Sequence, residues 1–123
     1  MFRSVRMLGI ATAITFALAG PALAHAHLVS AIPQVNGIAA ASPSELDLKF
    51  TEGLNLKFTG VKVTGPGNVS LSTGMAKLGV GDDTTLIVPV SGTLAAGTYK
   101  VDWHALSTDG HKTQGSYTFT VKP

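Results

Sequence analysis

The chain's means for chemistry are few: four histidines and seven acids, with no cysteine among 123 residues. Without thiols there is no thiolate catalysis, no thiolate metal site and no dithiol redox chemistry. Asp109 and His111 bracket Gly110, and His25 and His27 stand two residues apart. On extended backbone, residues two apart project to the same side, so the Asp109 carboxylate and the His111 imidazole can address one point. Gly110 lets the backbone between them approach another segment closely. Asp-Gly is also a common turn dipeptide, so the triplet gains meaning only beside a further nitrogen donor.

The start of the chain supplies that donor. Arg3 and Arg6 form a basic region, Met7 to Gly20 is apolar and uncharged, Pro21 interrupts it, and Ala22-Leu23-Ala24 places small residues at the −3 and −1 positions of a cleavage site. This is the pattern of a secretory signal peptide, with length and flanks wrong for a stable membrane span. Cleavage after Ala24 predicts an exported domain of residues 25–123 that begins with His25. Its new α-amine and its ring Nδ1 then close a chelate ring on a metal, and a metal deprotonates such an amine at neutral pH with little penalty. Amine, two imidazoles and a carboxylate suit Cu(II), the tightest binder of the divalent series and one that accepts tetragonal nitrogen and oxygen sites. His25, Asp109 and His111 are therefore candidate ligands of one Cu(II) ion. His27 can reach the same terminus, as a direct ligand or as support for one. His104 falls on the strand face opposite Trp103 and next to Asp102, and reads as a solvated surface residue. Glu52 ends the Leu46–Phe50 segment, either as a distant acid near the metal or as a solvated one.

Composition narrows the function classes. Hydrophobic residues make up 45% of the chain and charged ones 13%, which excludes a disordered tail or a coiled coil. The net charge of +2 comes from Arg3 and Arg6; beyond them seven lysines face seven acids. A neutral body without arginine offers no footprint for nucleic acid. Exported domains often need disulfides, but about a hundred residues bury enough surface to fold without them.

The elements that must position these side chains follow a period of two. Leu46, Leu48 and Phe50 alternate with polar residues, as do Val61 and Val63, then Tyr99, Val101, Trp103 and Ala105, and finally Tyr117, Phe119 and Val121. Leu28 to Ile32 makes a first strand ended by Pro33, Val69 to Leu71 a brief one, and Thr84 to Val90 a strongly β-prone one. About seven short antiparallel strands with turn residues between them, and no amphipathic helix, predict an all-β sandwich or small Greek-key barrel. Trp103, Tyr99, Tyr117, Phe50, Phe58 and Phe119 are its predicted aromatic core.

On these residues the chain resembles the CopC family of periplasmic copper-resistance proteins. The matching segments are His25-Ala26-His27-Leu28-Val29-Ser30 with Pro33, Leu48-Lys49-Phe50-Thr51-Glu52, Leu94 through Trp103, and Ser107-Thr108-Asp109-Gly110-His111 leading through Gly115-Ser116 into Phe119-Thr120-Val121. The resemblance implies an immunoglobulin-like Greek-key β-sandwich that binds Cu(II) in the periplasm, with the family's first-residue histidine on His25, its acid on Asp109, its second histidine on His111, and its glutamate near copper on Glu52. Handover to a CopD-like inner-membrane copper transporter, delivery to an exporter and plain sequestration all stay open, and a monomer is the expected state. Some members carry a second, Cu(I) site in a Met-rich loop. Here the corresponding Gly65–Asp83 region holds only Met75, and one thioether does not make a soft site. A single Cu(II) site is expected.

Two other classes share parts of this pattern. Copper-dependent polysaccharide monooxygenases also place an N-terminal histidine on a β-sandwich, but need an open coordination position and a broad substrate surface. A plain adhesion or scaffolding sandwich would leave the histidines incidental.

Overall fold

The computed structural model describes Gly9 and residues 25–123; the signal-peptide reading falls on residues 1–24 and, Gly9 apart, lies outside the described residues. Two four-stranded sheets stack face to face. The strands in chain order are β1 Leu28–Ile32, β2 Gly37–Ala39, β3 Glu45–Phe50, β4 Gly60–Thr64, β5 Lys77–Gly79, β6 Asp82–Pro89, β7 Gly97–Leu106 and β8 Lys112–Val121. One sheet runs β1-β3-β6-β5 and the other β2-β8-β7-β4, so the chain repeatedly changes sheets, as in the immunoglobulin-like Greek-key sandwich. Among the described residues no helix is long and apolar enough to cross a membrane.

The period-two pattern is what builds the core. Leu46, Leu48 and Phe50 of β3 face Tyr99, Val101, Trp103 and Ala105 of β7 and Tyr117, Phe119 and Val121 of β8, all buried. Phe50 meets Trp103 edge-on with ring centroids 5.2 Å apart, and Tyr99 stacks on Phe119 at 5.4 Å; such pairs add about 1 kcal/mol each beyond the area they bury. The Tyr99 hydroxyl donates to the Ala95 carbonyl at 2.6 Å, so its burial leaves no polar atom orphaned.

Three expectations are corrected. Phe58 is not core but 51% exposed. It belongs to a one-turn 3-10 segment, Leu56–Phe58, capped by the Asn55 side chain, and the Lys57 ammonium lies 5.6 Å from its ring. Among the described residues there are eight strands, in line with the about seven expected, but not all where expected. Val69–Leu71 shrinks to a single bridge between Thr64 and Ser70, while β2 and β5 join the sheets. Nor is the pairing wholly antiparallel, because β2 runs parallel to β8. Both added strands have three residues, too few to show a period in the sequence.

Candidate metal centre

The segment before β1 is held from both sheets. Ala26 is fully buried, which by alternation turns His25 and His27 the other way. Just past β3, the Thr51 hydroxyl donates to the His25 carbonyl and accepts from the His27 N–H, both at 3.0 Å. The Thr51 N–H donates to the His27 carbonyl at 2.9 Å. From β8, the Thr113 hydroxyl donates to the Ala26 carbonyl at 2.7 Å. Residues 25–27 are thus fixed by one threonine from the β3 side and one from β8.

The β7–β8 turn, residues 107–111, is built around buried Ser107. Its N–H donates to the His111 carbonyl and its carbonyl accepts from the Gly110 N–H, each at 2.9 Å. Its hydroxyl accepts from the His111 N–H at 3.2 Å and donates to the Asp109 carboxylate. Gly110 has φ of 92°, left-handed backbone that glycine adopts without strain. The Thr108 N–H reaches the Gly53 carbonyl at 2.9 Å, and Leu54 bridges to Ser107. Residues 51–54 therefore hold both the histidine segment and the turn.

These supports bring the predicted residues together. The His25 and His111 rings lie 4.7 Å apart, centroid to centroid, with planes tilted by 37°. His27 stacks 6.1 Å from His25. Asp109 Oδ1 lies 3.2 Å from His111 Nδ1. The Ser107 hydroxyl, and after it His111, hold the Asp109 carboxyl below the usual carboxylate range, so it is anionic at neutral pH. Glu52 is half-buried beside Thr51, and His104 is exposed on the outer face of its sheet.

Among the described residues, no three His, Asp or Glu side chains form a ready-made metal-holding group. The two rings lie against each other and Asp109 is engaged with His111. In the full-length chain the nitrogen of His25 is also still a peptide nitrogen, and as an amide it is a poor donor.

Sequence reasoning missed three supporting residues: Thr51, Ser107 and Thr113. Ser107 carried a readable signal, since a serine two residues before an aspartate often bonds locally. Thr51 reads as an outward strand residue and Thr113 as a small polar residue on the inner face of β8, and only the tertiary fold places them beside the histidine segment. Met75 is 91% exposed. Its neighbour Gly74 bonds to Pro89, at the far end of β6 from Asp83, whose carbonyl accepts from the Leu54 N–H beside the histidines.

Known proteins resemble this chain along most of its length. The CopC domain model matches residues 28–122. "Protein YobA" of Escherichia coli K12 is 46% identical over 124 residues, covering 99% of this chain and all of the relative. "Copper resistance protein C" of E. coli is 39% identical, covering 89% of this chain and 90% of the relative. The crystal structure of PcoC, titled a methionine-rich copper resistance protein from E. coli, superposes with a TM-score of 0.73 at 38% identity, covering 80% of this chain and 99% of that one. A family model spanning nearly the whole described region, with relatives and a solved sandwich at this identity, establishes that the chain belongs to the CopC family of copper-resistance proteins.

Proposed function

We propose that residues 25–123 form a periplasmic Cu(II) carrier, which receives one Cu(II) ion at the cleaved N-terminus and sequesters it or hands it to a CopD-like membrane copper transporter. The ligands in this reading are the His25 α-amine and ring, His111 and Asp109, with His27 adjacent. The observation that carries it is the strap on His25-Ala26-His27, which sets the His25 ring 4.7 Å from that of His111. A mere chain start has no need of hydrogen bonds from Thr51 and Thr113. Nitrogen donors with one carboxylate favour Cu(II) over softer or harder ions. The reading is of a binding protein, not an enzyme: as a ligand, Asp109 would take up a position that oxygen chemistry needs open.

The test is N-terminal sequencing of the exported protein together with metal analysis, repeated on a variant with one glycine left before His25. The expected result is a chain starting at His25 with one copper, and Cu(II) affinity orders of magnitude lower in the extended variant. Equal affinity in the two proteins overturns the chelate.

A further inference from the structure

Strand β8 is paired on one side along its whole length by β7, but on the other only from Phe119 to Val121, by β2. The Thr118 carbonyl accepts from Asn36, and the Lys122 N–H donates to Ala39, so even-numbered residues turn their backbone groups toward that side. By the period of two, the N–H and C=O groups of Lys112, Gln114 and Ser116 point to the same side. Among the described residues no strand or loop takes them up. Beside this open edge runs a groove of about 460 Å³, lined by Leu28, Val29, Val35, Trp103, Gly115 and Tyr117 and reaching His27. Val29 is 61% and Val35 42% exposed.

We infer that this edge docks an extended segment of a partner protein, which adds as a strand to β8 and brings the partner's own donors beside His111. A row of unpaired backbone donors and acceptors selects a polypeptide, and β2 already shows the edge accepting a strand. The groove selects alternating apolar side chains. Lys112 is the one charged residue from 112 to 117, and no carboxylate lines the groove, so the segment carries an acid at the metal end. Asp102, on the neighbouring strand's outer face, is engaged by Lys100 at 3.7 Å. A second copy of this chain fits poorly: pairing β8 with itself turns Thr113 and Gly115 inward and leaves Val29 and Val35 uncovered. A strand of five or six residues also buries far less than the ~1,200 Å² of stable assemblies, as a transient exchange contact should. The partner's role in copper transfer rests on the copper reading, while the docking does not.

The test is an NMR titration of copper-free residues 25–123 with a capped hexapeptide carrying two alternating valines and an aspartate at each end. Cu(II) affinity is measured separately by chelator competition. Expected are saturable shifts at the Lys112, Gln114 and Ser116 amides and at Val29 and Val35, with exchange of the three amides slowed at least fivefold. Gln114→Pro, which removes an outward N–H at an edge position that tolerates proline, should abolish peptide binding and leave Cu(II) affinity unchanged. Val35→Lys should weaken the peptide at least tenfold without touching the backbone. Shifts on another face, no saturable shifts, or unaltered binding by both variants overturn the proposal. So does concentration-dependent broadening of the same amides without peptide, which would make a second copy the occupant. Loss of Cu(II) binding by the unmutated chain, with the peptide still bound, would instead sink only the copper reading.

Discussion

The Thr113 hydroxyl meets the Ala26 carbonyl at 2.7 Å, joining residues 87 positions apart in the chain. That contact ties the residue between His25 and His27 to the strand that begins just after His111. The spacing of two candidate ligand segments thus depends on a side chain that is itself no ligand. Thr113→Val keeps the shape and removes the donor, leaving a buried carbonyl unpaired at a cost of about 1–3 kcal/mol. Cu(II) affinity should fall about tenfold by chelator competition, while the fold is kept. An unchanged affinity would mean that the strap does not set the site.

Removing ligands should cost more than loosening their support. Asp109→Ala and His111→Ala should each lower Cu(II) affinity by several kcal/mol, with unfolding midpoints nearly unchanged because both side chains are exposed at a turn. His104→Ala is the control: its ring lies on the outer sheet face against Gly60 and should leave copper untouched. Equal losses at His104 and His111 would show the histidines to be misassigned.

Much of this was legible in the sequence, for a physical reason. Long strands with one buried face write their period into the chain, so β3, β7 and β8 and the core from Leu46 to Val121 could be read directly. That His25 and Asp109 would both lie near His111 could be anticipated from their residue types and spacing, and the fold does bring them together. What could not be read was held in tertiary contacts. Thr51 looks like any outward threonine and Thr113 like any small residue at the inner end of a strand, β2 and β5 are too short to show alternation, and Phe58 is as apolar in a surface turn as in a core.

Asp47 predicts how stability should vary with pH. It lies on the outer face of β3, where Lys49 is drawn off to Asp82 at 3.1 Å and to Thr84 at 2.5 Å. One carboxylate oxygen of Asp47 is buried without a partner. Burial first, then Glu45 beside it, raise its pKa from 3.8 to about 6. Between these values the native state binds more protons than the unfolded one, so stability falls as pH rises through that window and stays lower above it. Asp47→Asn should be more stable than the parent above pH 6 by about 1 kcal/mol, allowing for solvent screening, with the gap closing below about pH 4. Urea unfolding across this range would show it; a gap independent of pH would refute the cause.

Gly115 sits under the Trp103 indole, and a Cβ there would lie 2.6 Å from Cζ2 and 2.8 Å from Cε2. The ring is rigid and already packed on Phe50 at 5.2 Å, so it has little room to yield. Gly115→Ala should destabilise the fold by about 1–3 kcal/mol, the usual cost of overpacking. Tryptophan fluorescence followed through urea unfolding would report it, and a midpoint equal to the parent's would show that the sheets can part without cost.

Methionine placement decides the oxidation state the protein should retain. Met75 lies beside the Pro89 end of β6, whereas the histidines gather near its Asp83 end, six strand residues away, or roughly 20 Å. A thioether at that distance cannot join His25 and His111 on one ion. Alone at 91% exposure, it lacks the further soft donors that Cu(I) requires. Cu(I) should therefore bind residues 25–123 far more weakly than Cu(II), and Met75→Ala should change neither affinity. Competition against a Cu(I)-specific chelator under reducing conditions makes the measurement. Tight, stoichiometric Cu(I) retention that Met75→Ala abolishes would require a second site at the far end of the sandwich and a carrier that exchanges copper between two oxidation states.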